Sequence, residues 1–186
     1  VTYEMSHCEN PYFNIVKNED NVNSLLSPGI PQNAISKYEI QDLNNETLKV
    51  TNTINHKIST NRKGKYQMID IPLLNSVIKE QNLNTLVSER TTPLEIKWPL
   101  NINYNYTISV PETLELKNKN IGIKKKNDNE MVNIQINEKD GKIYIQRQLE
   151  IYNSTIPSDE FKSFKEIIDI WQNPNYKTLI LEETKK

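Results

Sequence analysis

Three residues of this chain could together perform thiol chemistry: Cys8, His56 and Asp70, in that order along the sequence. A cysteine nucleophile requires a base that takes its proton and a third group that orients the base. Cys8, however, precedes Glu9-Asn10-Pro11 and no helical pattern follows it. Because a motif counts only in its structural context, the local sequence favours a non-catalytic interpretation: a thiol near the chain start, a strand histidine and an aspartate at a strand end.

Arg147 is a second residue with chemical potential, because the pattern places it on a buried face. Apolar and polar residues alternate on both sides of Asp140-Gly141, a pair typical of the tight turn of a hairpin. Arg147 takes an apolar-face position in the second strand, where a guanidinium is costly unless a carboxylate or backbone carbonyls contact it. We predict a structural ion pair, and an anion anchor in a cleft is the rival interpretation. The candidate partners are Glu89 first, then Glu150 and Glu115.

Aromatic residues offer a third possibility, since Trp98, Tyr104 and Tyr106 could form a platform on which a sugar ring stacks. Tyr104 and Tyr106 alternate with polar residues, which is typical of a half-buried strand, so core packing is the preferred interpretation. Residues 128–130 lack the spacing and the glycine of a calcium loop, and a single cysteine excludes a multi-cysteine metal site. The sequence therefore predicts no metal, no cofactor and no catalytic residue.

Composition excludes several classes of protein. The net charge is −1, from 23 basic and 24 acidic residues, which argues against a nucleic-acid binder, whose affinity requires a basic surface. No apolar run approaches the roughly 20 residues of a membrane-spanning helix. A length of 186 residues suffices for one core with an extension. The first residue is Val1, and either a cleaved signal peptide or an upstream domain is compatible with that.

Hydrophobic patterning predicts a mainly β fold: an antiparallel β-sandwich with one amphipathic C-terminal helix packed on it. Residues 1–33 show little periodicity and are predicted to be an extended lead-in or connector, and residues 34–186 form the sandwich domain. Ser158 as an N-cap and apolar residues at helical spacing predict a helix over about 158–172. The last predicted strand is Thr178–Leu181.

Six short pieces of sequence occur in an order that is more specific than any one of them. The pieces are Gly64-Lys-Tyr66 leading to Ile71-Pro72; Glu89-Arg90-Thr-Thr-Pro93-Leu94; Tyr106 to Val110-Pro111; Ile145-Gln-Arg147; Ile156-Pro157 with Asp159-Glu-Phe161 and Phe164; and Thr178-Leu-Ile-Leu181. In this order they resemble the C-terminal β-domain of bacterial cell-envelope proteins that carry a transglutaminase-like, papain-like core. The resemblance extends from about residue 47 to the end of the chain.

The resemblance implies a non-catalytic accessory domain and not an enzyme. In such proteins the catalytic cysteine, histidine and aspartate belong to the core, which lies upstream of this domain. The implied partner is that core in the same polypeptide, or another envelope protein, and the implied location is the periplasm or cell envelope of a bacterium. The alternatives are a carbohydrate-binding module and, less favoured, a transglutaminase-like thiol enzyme fragment that uses Cys8, His56 and Asp70.

Overall fold

The structure, a computed structural model, gives the backbone alone for three segments and both backbone and side chains for five others. The backbone-only segments are residues 2–9, 35–41 and 48–55; the fully described segments are residues 61–71, 82–83, 86, 89–96 and 99–184. Within this part of the chain, thirteen strands build three antiparallel sheets, and one α-helix lies near the C-terminus, before the last strand. The predicted mainly β fold is confirmed.

The bounds of the elements follow the chain. The strands are β1 (Thr2–Glu9), β2 (Ile35–Gln41), β3 (Leu48–Asn55), β4 (Asn61–Lys63), β5 (Tyr66–Asp70), β6 (Leu94–Glu95), β7 (Leu100–Ser109), β8 (Leu114–Leu116), β9 (Ile121–Lys126), β10 (Glu130–Lys139), β11 (Lys142–Ile151), β12 (Thr155–Ile156) and β13 (Thr178–Glu183). Helix α1 is Phe161–Gln172, and a 3₁₀ helix, Pro174–Tyr176, comes directly after it.

The larger sheet has seven strands in the order β2-β3-β1-β7-β11-β10-β9, and the smaller one has four in the order β4-β5-β13-β8. Strands β6 and β12 form a separate two-stranded pair. β1 lies between β3 and β7, to which it pairs antiparallel on both sides. Thr2–Glu9, predicted as part of a connector over residues 1–33, is therefore a strand inside the larger sheet.

The hairpin of β10 and β11 has the turn that its sequence predicts. Asp140 and Gly141 have φ angles of 52° and 69°, and two consecutive positive φ angles are what a type I′ turn requires. In the register that follows, Ile136 faces Ile145 and Ile134 faces Arg147. The turn therefore decides which residues of β11 share the inner face with the apolar residues of β10.

The core lies between the inner face of the larger sheet on one side and the smaller sheet with helix α1 on the other. Each layer contributes buried apolar side chains to one continuous cluster. The larger sheet supplies Leu100, Ile102, Tyr104, Tyr106, Ile108, Val132, Ile134, Ile136, Ile143, Ile145, Leu149 and Ile151; the smaller sheet supplies Ile69, Leu116, Leu179 and Leu181. Alternation along β7 and β11 thus buries one face of each strand, whereas the first five residues of β10, Glu130 to Ile134, are buried on both faces.

Helix α1 packs on this core through the stripe that its periodicity predicts, which consists of Phe161, Phe164, Ile167, Ile168 and Trp171. The helix begins at Phe161, after an N-cap at Glu160 whose side chain makes no capping hydrogen bond. It therefore starts three residues beyond the predicted Ser158. No helix among the described residues has the length and apolar character needed to cross a membrane.

Candidate functional site

Arg147 lies at the centre of the core and is completely buried. Strand β11 places it between Tyr104 of β7 and Ile134 of β10. Its inward position follows from alternation, since Ile145 and Leu149 flank it on the same face. The guanidinium is 4.5 Å from the ring centroid of Trp171, a cation–π distance.

Both terminal nitrogens of Arg147 bind backbone carbonyls. Nη2 donates to the carbonyl of Trp171 and Nη1 donates to the carbonyl of Tyr176. The Trp171 carbonyl is among the last four of helix α1, which have no donor within the helix. The negative end of the helix dipole also favours a cation there. Arg147 therefore joins the larger sheet to the end of α1 and to the 3₁₀ helix after it.

The predicted ion pair with Glu89 is corrected by this geometry. Glu89 is exposed, and no salt bridge joins Arg147 to a carboxylate among the residues that the structure describes. Glu150 instead accepts from Gln148 and Tyr152, and Glu115 pairs with Lys119. Backbone carbonyls take the place of a carboxylate as partners of Arg147, because they accept hydrogen bonds without the cost of burying a second charge.

Burial also changes the acid–base behaviour of Arg147. Removal of water from the cation lowers the pKa of its guanidinium to about 10. Its Nε atom is buried and has no hydrogen-bond partner. With both terminal nitrogens bound to carbonyls and no exposed surface, the side chain supports the fold and offers no open site to an anion.

The structure places two members of the candidate thiol triple, the least favoured interpretation of the sequence, and they lie in different sheets. Cys8 is in β1, where it pairs with Lys49 and Asn103 in the larger sheet. Asp70 ends β5 in the smaller sheet, where its carboxylate accepts from Thr178 Oγ1 at 2.7 Å. His56 lies outside the described residues. Within the described part of the chain, no three His, Cys, Asp or Glu side chains cluster as metal ligands.

The alternative of an exposed aromatic platform does not apply to the two residues that can be placed. Tyr104 and Tyr106 are 0% and 2% exposed, with ring centroids 6.3 Å apart. Tyr104 stacks on Trp171 at 6.0 Å. Core packing, the preferred interpretation, is confirmed for both rings, and Trp98 lies outside the described residues.

A polar cluster that the sequence pattern does not predict lies where the turn between β9 and β10 meets the start of helix α1. Asn127 Oδ1 accepts from the backbone N–H groups of Asn129 and Glu130, at 2.8 and 2.7 Å. Asn127 Nδ2 donates to Ser163 Oγ at 3.0 Å, and Asn129 Nδ2 donates to a carboxylate oxygen of Glu160 at 2.5 Å. An asparagine that bonds its own downstream backbone is a recognisable turn signal, which Asn127-Asp-Asn-Glu carries.

Glu130 is the buried acid of this cluster. It is 1% exposed, and its Oε2 atom has no hydrogen-bond partner. Burial raises the pKa of its carboxyl, and the nearby charge of Glu160 acts in the same direction, while contact with Asn127 opposes both. The protonated form is therefore favoured to a higher pH than in an ordinary glutamate.

The outer face of the larger sheet carries a depression of about 270 Å³ between β7, β11 and β10. Its lining is Asn105, Tyr106, Thr107, Gln135, Asn137, Tyr144, Ile145 and Gln146. Asn105, Gln146 and Gln135 form one row across the three strands by register. The depression is thus lined by amides and hydroxyls and by no charged residue.

Comparison with known protein families assigns the chain to one of them. The model of DUF3858, a domain of unknown function with a solved structure, matches residues 66–181. The chain belongs to the DUF3858 family. The DUF3858 match includes Arg147, the β10–β11 hairpin and helix α1, so the contacts of Arg147 with the end of the helix lie within the family's own domain. A comparison with curated proteins gave no match.

A solved structure similar to this DUF3858 chain is described as that of "a putative protease from Parabacteroides distasonis ATCC 8503". The similarity covers 64% of this chain with a TM-score of 0.59 and 18% sequence identity. At that identity the comparison shows a shared fold. The matched part covers 24% of that protein's chain, so the region in common is about a quarter of its length.

Proposed function

We propose that this DUF3858 chain is a non-catalytic accessory domain that lies C-terminal to a transglutaminase-like core in a larger protein of the bacterial cell envelope. The observation that carries the proposal is its similarity to only 24% of a much longer protein described as a protease. A shared fold that makes up a minor part of a longer chain is what an accessory domain would give.

The distribution of chemical groups supports a structural role. The fully buried cation Arg147 donates to the carbonyls of Trp171 and Tyr176. Cys8 and Asp70 are in different sheets. Catalysis would need a nucleophile and a base within hydrogen-bond reach, and the described residues offer no such pair around Asp70, whose carboxylate binds Thr178.

The identity of the core and the envelope location rest on the resemblance of the ordered pieces from Gly64 to Leu181 to envelope proteins with a transglutaminase-like core. The description of the similar protein as a protease is compatible with that proposal. Papain-like cores hydrolyse peptides through a cysteine, a histidine and an orienting residue.

The test begins with the complete reading frame of the gene. We expect it to encode a core with a cysteine, a histidine and an aspartate upstream of this chain. The full-length protein should then contain a thiol that iodoacetamide labels at a pH well below the ordinary thiol value of about 8.5. A reading frame with no such core upstream would overturn the proposal.

The thiol-enzyme alternative is tested on the 186-residue chain alone. We expect Cys8 to be labelled with a pH midpoint near the ordinary thiol value, because no activated nucleophile is proposed. A midpoint shifted well below it, and restored by His56→Ala, would show an activated thiol and favour the enzyme fragment over the accessory domain.

A further inference from the structure

Amide side chains dominate the outer face of strands β7, β10 and β11. We call this surface the amide face and define it by Asn103, Asn105, Asn133, Gln135, Asn137, Gln146 and Gln148. The register aligns them in rows across the sheet, with Asn103, Gln148 and Asn133 in one row and Asn105, Gln146 and Gln135 in the next. In a chain with 25% charged residues, an uncharged surface of this kind is distinctive.

The depression of about 270 Å³ lies in this face and contains an aromatic ring. Tyr144 lines it and is 42% exposed. The register places Tyr144 beside Thr107 on one side and Asn137 on the other. A half-exposed tyrosine next to amides combines an apolar ring surface with hydrogen-bonding groups at its edge.

Several polar groups of the depression are available to a ligand. The side chains of Gln146 and Asn137 and the hydroxyl of Tyr144 form no hydrogen bond to any residue that the structure describes. Gln135 uses its Nε2 atom, which donates to Asn133 Oδ1 at 3.3 Å. Because each amide supplies two donor hydrogens and an acceptor oxygen, the depression presents donors and acceptors side by side.

This chemistry selects among ligand classes. An anion would need a cationic group in the lining, and a nucleic acid would need a basic surface, whereas the depression has no charged residue. An added peptide strand binds at a sheet edge, and this site is on a face. Vicinal hydroxyls match adjacent amide donors and acceptors, and the apolar side of a sugar ring matches an exposed tyrosine.

We propose that the amide face binds a neutral carbohydrate, with Tyr144 as the stacking ring and Gln146 and Gln135 as hydrogen-bonding groups. The ring of Tyr144 is on the opposite face of the sheet from the buried rings of Tyr104 and Tyr106, so this site differs from the platform of Trp98, Tyr104 and Tyr106 that is the less favoured interpretation of the sequence. Its volume lies near the lower end of the range of about 300–1,000 Å³ for small-molecule pockets, which fits one or two sugar units and weak binding.

The experiment is isothermal titration calorimetry of the 186-residue chain with neutral oligosaccharides: cellohexaose, xylohexaose, mannohexaose and chitohexaose. We expect saturable binding of at least one of them. Tyr144→Ala and Gln146→Ala should each weaken that binding by about tenfold or more, the effect typical of a central contact residue. Far-UV circular dichroism verifies that each variant keeps the fold.

The matched control is Tyr152→Ala. Tyr152 is also 42% exposed, but its hydroxyl donates to Glu150 and it does not line the depression. We expect this variant to bind as the unmodified chain does. The proposal is overturned if no oligosaccharide binds at millimolar concentration, if Tyr152→Ala weakens binding as much as Tyr144→Ala, or if folded Tyr144→Ala and Gln146→Ala variants bind normally. None of these results bears on the accessory-domain proposal, which depends on the reading frame.

Discussion

A buried ionisable residue lies at each end of helix α1, and the two residues differ in their hydrogen-bond partners. At the C-terminal end, two nitrogens of Arg147 donate to the carbonyls of Trp171 and Tyr176. At the N-terminal end, Glu130 is as deeply buried, but its Oε2 atom has no partner and a second acid, Glu160, lies nearby. Backbone carbonyls therefore bind two of the three nitrogens of Arg147, although its Nε atom has no partner. The carboxyl of Glu130 has an unpaired oxygen and lies near a second acid.

The difference between Arg147 and Glu130 depends more on the number of their hydrogen-bond partners than on the helix dipole. The dipole favours a cation at the C-terminus and an anion at the N-terminus, so it should help both groups. The pKa of Glu130 is nevertheless raised, because burial and Glu160 outweigh the contact with Asn127. A buried charge in this fold is stable to the extent that hydrogen bonds reach it.

The largest expected effect is at the C-terminal end. Arg147→Ala removes two hydrogen bonds and leaves a cavity and two unpaired carbonyls in the core. We expect it to lower the free energy of unfolding by about 3–5 kcal/mol, because large-to-small core substitutions cost about 2–5 kcal/mol and each buried carbonyl left unpaired adds about 1–3 kcal/mol. Urea denaturation followed by tryptophan fluorescence measures this change.

A surface arginine provides the control for this variant. Arg62 binds Glu183 with a side chain that is 60% exposed, and Arg62→Ala should change the free energy of unfolding by less than about 1 kcal/mol. Arg147→Lys keeps a charge and one donor group, and it should fall between the two. Equal losses for Arg62→Ala and Arg147→Ala would contradict the structural role assigned to Arg147.

The second effect tests how the turn before β10 supports the N-terminal end. Asn127→Ala removes the acceptor for two backbone N–H groups and the donor to Ser163. We expect a loss of about 1–3 kcal/mol, since buried or half-buried N–H groups would be left unpaired. Asn101→Ala, at an exposed position of β7, should lie within about 0.5 kcal/mol of the unmodified chain.

A loss at Asn127 no greater than that at Asn101 would show that the cluster contributes little and that the two helix ends differ even more than the structure indicates. The same urea experiment distinguishes these outcomes.

The sequence predicts the positions of the residues at these ends better than it predicts their partners. Alternation places Arg147 on the inner face, and Asp140-Gly141 predicts the turn that sets its register. Its partners are 24 and 29 residues away and are carbonyls, which every residue carries. Nothing in the side-chain sequence distinguishes them, so a visible carboxylate, Glu89, is preferred although it is exposed.

On the polar outer face of the larger sheet, too, the sequence predicts where residues lie but not what surrounds them. Alternation along β7 and β11 predicts that Asn105 and Gln146 point away from the core, as they do. The depression beside Tyr144 depends on how three strands align side chains of different lengths, which a single-strand pattern does not contain. Glu130 was missed for a related reason: a charged residue at a strand start reads as exposed until the helix that covers it is placed.

The next prediction concerns Glu130, whose replacement should raise the free energy of unfolding, in contrast to the replacements of Arg147 and Asn127. Because its pKa is raised in the folded state, that state binds more protons than the unfolded chain between the two pKa values, and stability falls as pH rises through this window. Glu130→Gln removes the ionisation. At neutral pH we expect the variant to be more stable than the unmodified chain by on the order of 1 kcal/mol, as for an unsatisfied buried polar group.

Urea denaturation at neutral pH and near pH 4, below the ordinary glutamate pKa of about 4.3, measures this difference. The advantage of the variant should largely disappear at the lower pH, where Glu130 is mostly protonated in both states. Glu89→Gln, at an exposed site, should show no advantage at either pH. A Glu130→Gln variant less stable than the unmodified chain at neutral pH would mean that the carboxylate is satisfied after all.

The smallest effect comes from an exposed ion pair between strand β9 and helix α1. Lys125 of β9 contacts Glu166 of α1, with side chains 38% and 48% exposed. The hydrogen bond and charge of Lys125 lower the pKa of Glu166, so this pair contributes stability above the unfolded pKa and loses it as pH falls through the folded one. Glu166→Gln should therefore be slightly less stable at neutral pH, in the opposite direction to Glu130→Gln.

The stability changes in Glu130→Gln and Glu166→Gln should also differ in their dependence on salt. Ions at about 1 M reduce the Debye length to roughly 3 Å, so the small loss in Glu166→Gln should vanish at high salt, since both partners face water. The gain in Glu130→Gln should persist, because it comes from burial and not from a solvent-exposed charge. If salt instead removed the Glu130 effect and left that of Glu166, the contrast between a buried, partly satisfied acid and an exposed, paired one would be reversed.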